Sequence, residues 1–279
     1  MGSPLATVSF GLAAAASWGA GDFTGGIATR KADVYAVGLV SQAAGVVALA
    51  ALAGARAEPF APPPALGWGA VAGVFGALGI AALYRALAVG RMGIAAPVTA
   101  VLAAALPVCF AALSQGLPSP LQFTGFGLAL GGVWLISRPE GAGGSPEGLG
   151  LALLAGVGFG GFMIFIGQVQ APAVFWPLAA AKVSSLLSML VAARAAGRLP
   201  RSPRSLLLPA ALAGLLDAGG NAFFVLAEQG GRLDVASILA SLYPAATVFL
   251  ARLVLGERVS RTQAVGIAAA LIAIPLIAT

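Results

Sequence analysis

A chain of 279 residues that is 59% hydrophobic and 9% charged, with a mean hydropathy of +0.98, carries more apolar area than one water-soluble core can hide, so it reads as a membrane protein. Its formal charge of +6 comes without a single His, which removes the usual acid and base near neutral pH and the commonest metal ligand. The Arg residues fall in short loops between apolar stretches, where they set topology rather than bind nucleic acid.

Each apolar stretch must complete its backbone hydrogen bonds within itself in lipid, which predicts helices and excludes strands. No basic region with a polar cleavage segment opens the chain, so Ser9 onward reads as a retained first helix, from about Leu5 to Ile27. Arg30 and Lys31 stop it. Helix 2 spans Val34 to Leu52, and a Pro-rich turn follows from Arg56 to Pro64. Helix 3, from Trp68 to Ala88, carries Gly73, Gly76 and Gly79 on one face, a spacing that suits close helix contact. Helix 4 runs from Ile94 to Leu113, contains Pro97 and Pro107, and holds the lone Cys109, expected to pack rather than react. Ser119 caps helix 5 (Leu121 to Arg138), with Pro120 at its first position and Gln122 placed to complete a capping box. The Gly-rich stretch after Glu140 is too short and polar to span, and divides the chain into 1–140, a linker at 141–147, and 148–279. The order then repeats: helix 6 (Gly150 to Gly167), helix 7 (Val174 to Ala193), helix 8 (Leu206 to Ala227), helix 9 (Val235 to Leu255) and helix 10 (Thr262 to Ala278).

The two parts superimpose at a constant offset of 141 positions, placing Gly73 on Gly214, Gly79 on Gly220, Arg91 on Arg232, Ser119 on Ser260, Gln122 on Gln263 and Gly125 on Gly266. The fold class is therefore an all-α polytopic membrane protein of ten transmembrane helices in two five-helix repeats. An odd number of helices per repeat inverts the second copy in the membrane, the arrangement that lets a central site open to each face in turn. Arg30, Lys31, Arg91, Arg138, Arg194, Arg198, Arg201, Arg204, Arg258 and Arg261 fall opposite the termini, against Arg56 and Arg232 on the terminal side. The positive-inside rule then makes the opposite side cytoplasmic.

Lys182 and Asp217 lie at similar depth in adjacent antiparallel helices, and an ion pair is expected. A lone charge there costs at least about 2.5 kcal/mol and demands a partner, water or neutralisation. Asn221 lies one turn beyond Asp217 on the same face. Asp22 near the end of helix 1 is a candidate gate carboxylate, Arg85 an anion-binding residue or a snorkelling cation, and Tyr84 its interfacial neighbour. Trp18, Tyr84, Phe159, Trp176, Phe223 and Tyr243 are candidates for a substrate-facing wall, with Trp18 and Phe159 equivalent by repeat. Pro97, Pro177 and Pro244 are placed to bend helices beside a cavity. Gly156, Gly158 and Gly160 mimic part of a nucleotide loop but sit inside an apolar helix with no preceding strand. The residues present point to no catalytic centre, metal or cofactor. Small-molecule solute and membrane lipid are the expected partners, with possible proton coupling at Asp217 or Asp22 and a monomer or weak homodimer as the assembly.

Ser241-Leu242-Tyr243-Pro244 through Leu255-Gly256-Glu257-Arg258, with Ser260, Gln263 and Gly266 and the weaker Trp18-Gly19, resembles the drug/metabolite transporter superfamily in its ten-helix EamA-type branch. The resemblance implies small organic solutes crossing the inner membrane through a cavity between the halves, built mostly by helices 1, 3, 4, 6, 8 and 9. Helices 5 and 10 would pack peripherally. It also implies both termini inside, against the charge tally above. Two departures stand out: the Gly-Glu common after helix 4 is Gln115-Gly116 here, and a Lys common late in helix 1 is absent, with Asp22 and Phe23 nearby.

Overall fold

The computed structural model describes residues 4–29, 31–89, 92–137, 148–169, 172–197, 204–256 and 260–277, and their side chains except at 4, 84–89, 92–97 and 137. Among these it is all-α: α1 (Pro4–Thr29), α2 (Val34–Ala55), α3 (Pro63–Val89), α4 (Met92–Ser114), α5 (Pro120–Ser137), α6 (Leu149–Ile166), α7 (Phe175–Ala195), α8 (Leu207–Gly230), α9 (Leu233–Ala240), α10 (Tyr243–Leu255) and α11 (Arg261–Ile277). Among the described residues six segments are long and apolar enough to cross a bilayer by themselves, one being Leu233–Leu255, where α9 and α10 form two halves of one span. The break falls at Ser241 and Leu242, with Ser241 Oγ donating to the Ile238 carbonyl (2.7 Å) and Pro244 in the first turn of α10. Pro244 therefore interrupts its helix as expected. Pro177 does not, because it sits in the first turn of α7, where its missing N–H costs nothing.

Helix packing obeys the repeat. α1 lies on α8 as α6 lies on α3; α2 meets α8 as α7 meets α3; α1 crosses α9 and α10 as α6 crosses α4. Small residues make these crossings close. A Cβ on Gly73 would strike the Ala181 carbonyl, and one on Gly214 the Ser41 carbonyl, so α3/α7 and α8/α2 touch backbone to backbone. Gly79 receives the Phe159 ring as its equivalent Gly220 receives Trp18. The buried core is correspondingly rich in Ala, whereas Val47, Leu113, Val191 and Leu208 point outward, as lipid-facing residues do. Cys109 is exposed on that surface and does not pack inside.

α5 and α11 pair at the edge of the bundle. Ser119 and Gln122 form the expected capping box (3.0 and 3.2 Å), as do Ser260 and Gln263 (3.0 and 3.1 Å). Each Gln also reaches across, Gln122 Nε2 to the Ile277 carbonyl (3.5 Å) and Gln263 Nε2 to the Ile136 carbonyl (3.3 Å). The start of each helix is thus tied to the end of the other, which requires them to run antiparallel.

Loop contacts fix the sidedness. The α2–α3 turn meets the start of α7 through Glu58, the α4–α5 turn meets Arg232 and Leu233, and Gln229 Nε2 donates to the Ala173 carbonyl (3.3 Å). All four connections share the terminal face, so α6 runs opposite to α1 and the second repeat is inverted. Glu58 accepts from the N–H groups of Val174 (3.0 Å), Phe175 (3.0 Å) and Trp176 (3.0 Å), a cap supplied from another helix pair. Glu58→Ala strands these donors and is expected to lower stability by about 1–3 kcal/mol. Retention of the folded, monodisperse peak after graded heating in detergent measures the loss.

Candidate functional site

A group of polar side chains lies where α1 packs on α8 and α10. Trp18 Nε1 donates to Asn221 Oδ1 at 2.8 Å, and the indole stacks on Phe224 with ring centroids 5.8 Å apart. Gly220 makes this possible, because any side chain there would occupy the indole's place. The ring lies flat on α8 and fixes the buried Asn221 amide.

One turn on, Asp22 is exposed. Its direction follows from its neighbours at about 100° per residue: Trp18, Gly21 and Gly25 face α8, while Gly19 lies against Tyr243, Ala246 and Thr247 of α10. Asp22 falls between these sectors and points into the crevice between α8 and α10. It lies within electrostatic range of Asp217 and Tyr243.

Asp217 Oδ2 pairs with Lys182 Nζ from α7, the expected ion pair. The side chains differ in access: Lys182 keeps 6% of its surface and Asp217 35%. The lysine stem runs over Gly45 of α2, whose Cβ would stand 3.2 Å from Cδ, so the absence of a side chain at Gly45 shapes the channel for it. The ammonium arrives from the protein side and the carboxylate meets it from the crevice. Ser17 Oγ closes the α1–α8 contact on the Leu216 carbonyl (2.6 Å).

Accessibility changes at the α9/α10 break. All eight residues of α9 are buried, whereas none of α10 is. Beyond α9 on the terminal face, Arg232 grips three groups: Asp234 (Nη2 to Oδ2, 2.8 Å), the Gln115 carbonyl (Nη1, 3.1 Å) and the Gly116 carbonyl (Nη2, 2.6 Å). Hydrogen bonding to Asp234 holds the Arg232 guanidinium above its ordinary pKa. Gln115 Oε1 accepts from Leu233 N at 3.2 Å. The Gln-Gly that stands in for Gly-Glu after α4 therefore supplies acceptors for a cation from the other repeat. The buried α9 and this clamp lie on the terminal side of the break, and the carboxylates that keep accessible surface lie beyond it.

The remaining sequence candidates distribute elsewhere. Phe159 occupies the place equivalent to Trp18 in the other half, on Gly79. Trp176 stands at the Glu58 cap, donating Nε1 to the Glu58 carbonyl (3.1 Å) and meeting Phe60 edge-on (5.0 Å). Its polar atom is used there. Phe223 stacks on Phe10 with centroids 6.3 Å apart. The side chains of Tyr84 and Arg85 lie outside the described residues, as do Pro97 and Arg91. Sequence reasoning missed Gln42, buried on α2 between Gly38, which meets Met189, and Gly45, which meets Lys182. Its spacing of one turn from each was the available signal. It also missed Asp234, which is fully buried. A groove of about 180 Å³ between α1, α10 and α11 is lined by Leu12, Ala15, Leu242, Ile267 and like residues, with nothing polar to hold a solute. Among the described residues no cluster of His, Cys, Asp or Glu forms a metal site.

Comparison with known proteins agrees with this architecture. The model of the EamA-like transporter family matches twice, over residues 5–138 and 146–279. No curated protein matches the chain. Among solved structures, one described as "Crystal structure of protein" is similar at a TM-score of 0.81 and 17% identity, covering 97% of this chain and 95% of its own, a likeness of fold alone. With both repeats matched over nearly the whole length, the chain belongs to the EamA-like transporter family of the drug/metabolite transporter superfamily and is a multi-pass membrane transporter.

Proposed function

We propose that this protein is a secondary transporter of small organic metabolites, amino acids or related amphipathic solutes, working by alternating access in a bacterial-type inner (plasma) membrane. The observation that supports this reading is the polar group of Trp18, Asp22, Asp217 and Asn221 at the crossing of two inversely repeated halves. Charged groups at that depth are retained against their insertion cost where they serve a pathway. A wholly buried α9 on one side of the break and accessible carboxylates on the other fit one end state of such a cycle, and the inverted repeat supplies the means of reaching the other. On the charge rule the accessible side is cytoplasmic. A proton or solute gradient is the energy source, with proton exchange at Asp22 or Asp217.

Counterflow tests this reading. Liposomes containing purified protein and preloaded with an amino-acid mixture should accumulate external labelled amino acid transiently above equilibrium, with saturation. Rapid flux that neither saturates nor shows counterflow would identify a channel-like facilitator. Counterflow with amines but not amino acids would identify an amine or multidrug exporter.

A further inference from the structure

We propose that Gln42 is a positioning residue that gives the Lys182 ammonium a second seat, so that Asp217 can leave its ion pair and take part in the transport cycle. The inference rests on the transporter reading above and names how its buried pair opens. Lys182 donates to Asp217 and, among the described residues, to nothing else, although a lysine ammonium carries three N–H donors. Gln42 has the matching deficit: it is buried, and its Oε1 has no hydrogen-bond partner among the described residues. A spare donor and a spare acceptor in one buried place are each costly alone and satisfy each other when they meet.

The geometry of α2 sets the two seats. The lysine stem lies over Gly45, whose missing side chain leaves it room. At about 100° per residue, Gln42 and Ser41 fall on opposite sides of Gly45 around α2. Ser41 marks the α8 side, because its carbonyl lies against Gly214, one turn before Asp217. Gln42 marks the other side, and side chains three positions apart on a helix start about 5–6 Å from each other, a distance that rotation about the last bonds of a lysine covers. α7 and α8 both pack on α2 and hardly on each other, so the ion pair bridges two helices with little packing of their own to hold them in register. With one seat only, a shift between them would strand the ammonium. With Gln42 as the second, the charge stays hydrogen-bonded while Asp217, which keeps 35% of its surface, is free on the crevice side. The amide brings no counter-charge, so outright loss of Asp217 stays costly.

Stability and turnover should therefore move apart in one variant. Gln42→Met keeps the length of the side chain and removes an acceptor unused in the paired state, so full-length protein in detergent should hold its monodisperse peak to the same temperature as the wild type, or higher. In the Asp217→Asn background the sign should reverse: Gln42→Met lowers the midpoint, and Gln42→Glu, which returns a carboxylate to the lysine, raises it. Should Asp217→Asn alone not stay monodisperse, recovery of the peak on adding Gln42→Glu is the same result, and no recovery is the opposite one. In liposomes, Gln42→Met should slow amino-acid counterflow about tenfold while the half-saturating concentration stays where it was. A midpoint lowered by Gln42→Met with Asp217 in place, the same effect in both backgrounds, or an unchanged counterflow rate would each overturn the assignment. Absence of counterflow in the wild type with every solute defeats the transporter reading instead, and the heating series still decides whether Gln42 receives the lysine.

Discussion

Removing one member of the Lys182–Asp217 pair is expected to harm the protein more than removing both. Lys182→Ala leaves a carboxylate that still reaches the crevice, with 35% of its surface accessible, so its loss should lie near the lower end of the roughly 3–5 kcal/mol attached to an orphaned buried charge. Asp217→Ala strands an ammonium with only 6% accessible surface, and should cost more. The Lys182→Ala/Asp217→Ala variant leaves neither charge and should recover much of the loss. Thermal retention of the monodisperse peak for the three variants and the wild type forms a double-mutant cycle. Strictly additive losses would show that the two side chains do not depend on each other.

Gly73→Ala and Gly214→Ala are expected to be comparably severe, because they occupy equivalent places. Each new methyl would press on a carbonyl of the facing helix, Ala181 or Ser41, where backbone cannot yield as a side chain can. Overpacking commonly costs about 1–3 kcal/mol, and backbone contact puts these at or beyond the upper end. Gly127→Ala and Gly131→Ala on α5 are the controls, since nothing lies within 4 Å of either added Cβ. They should be neutral, or gain up to about 1 kcal/mol from helix propensity. Thermal denaturation of the four variants separates a requirement for closeness from a general intolerance of Gly replacement.

Much of this fold was legible because duplication left its marks at fixed spacing. Ser119 with Gln122 and Ser260 with Gln263 predicted two caps, and both formed. Gly73, Gly76 and Gly79 predicted close contact, and an added Cβ would clash at Gly73 and Gly79, though at Gly76 it would meet only ordinary contact. The Lys182–Asp217 pair was legible from depth alone, since antiparallel neighbours place equal distances from their shared loop at equal heights. What escaped the reading depends on contacts between elements far apart in sequence. Nothing local to Glu58 announces that it caps α7 more than a hundred positions later, nor does Gln115 announce Arg232. Trp176 looked like a cavity aromatic because residue type cannot reveal where an indole N–H finds its acceptor. The α9/α10 break was half visible: Pro244 marked the place, but not that one half would be wholly buried and the other have no buried residue.

The α5/α11 seam has a consequence beyond holding the edge of the bundle. Each helix brings a glutamine donor at its start and a free carbonyl at its end, so the surface is self-complementary in the isologous sense. A detached half would meet an upside-down duplicate of itself with the same donors opposite the same acceptors. Joining the copies in one polypeptide makes that encounter intramolecular, removes its dependence on concentration, and frees the two halves to diverge. Asp22 in one half, and Lys182 with Asp217 in the other, record that freedom.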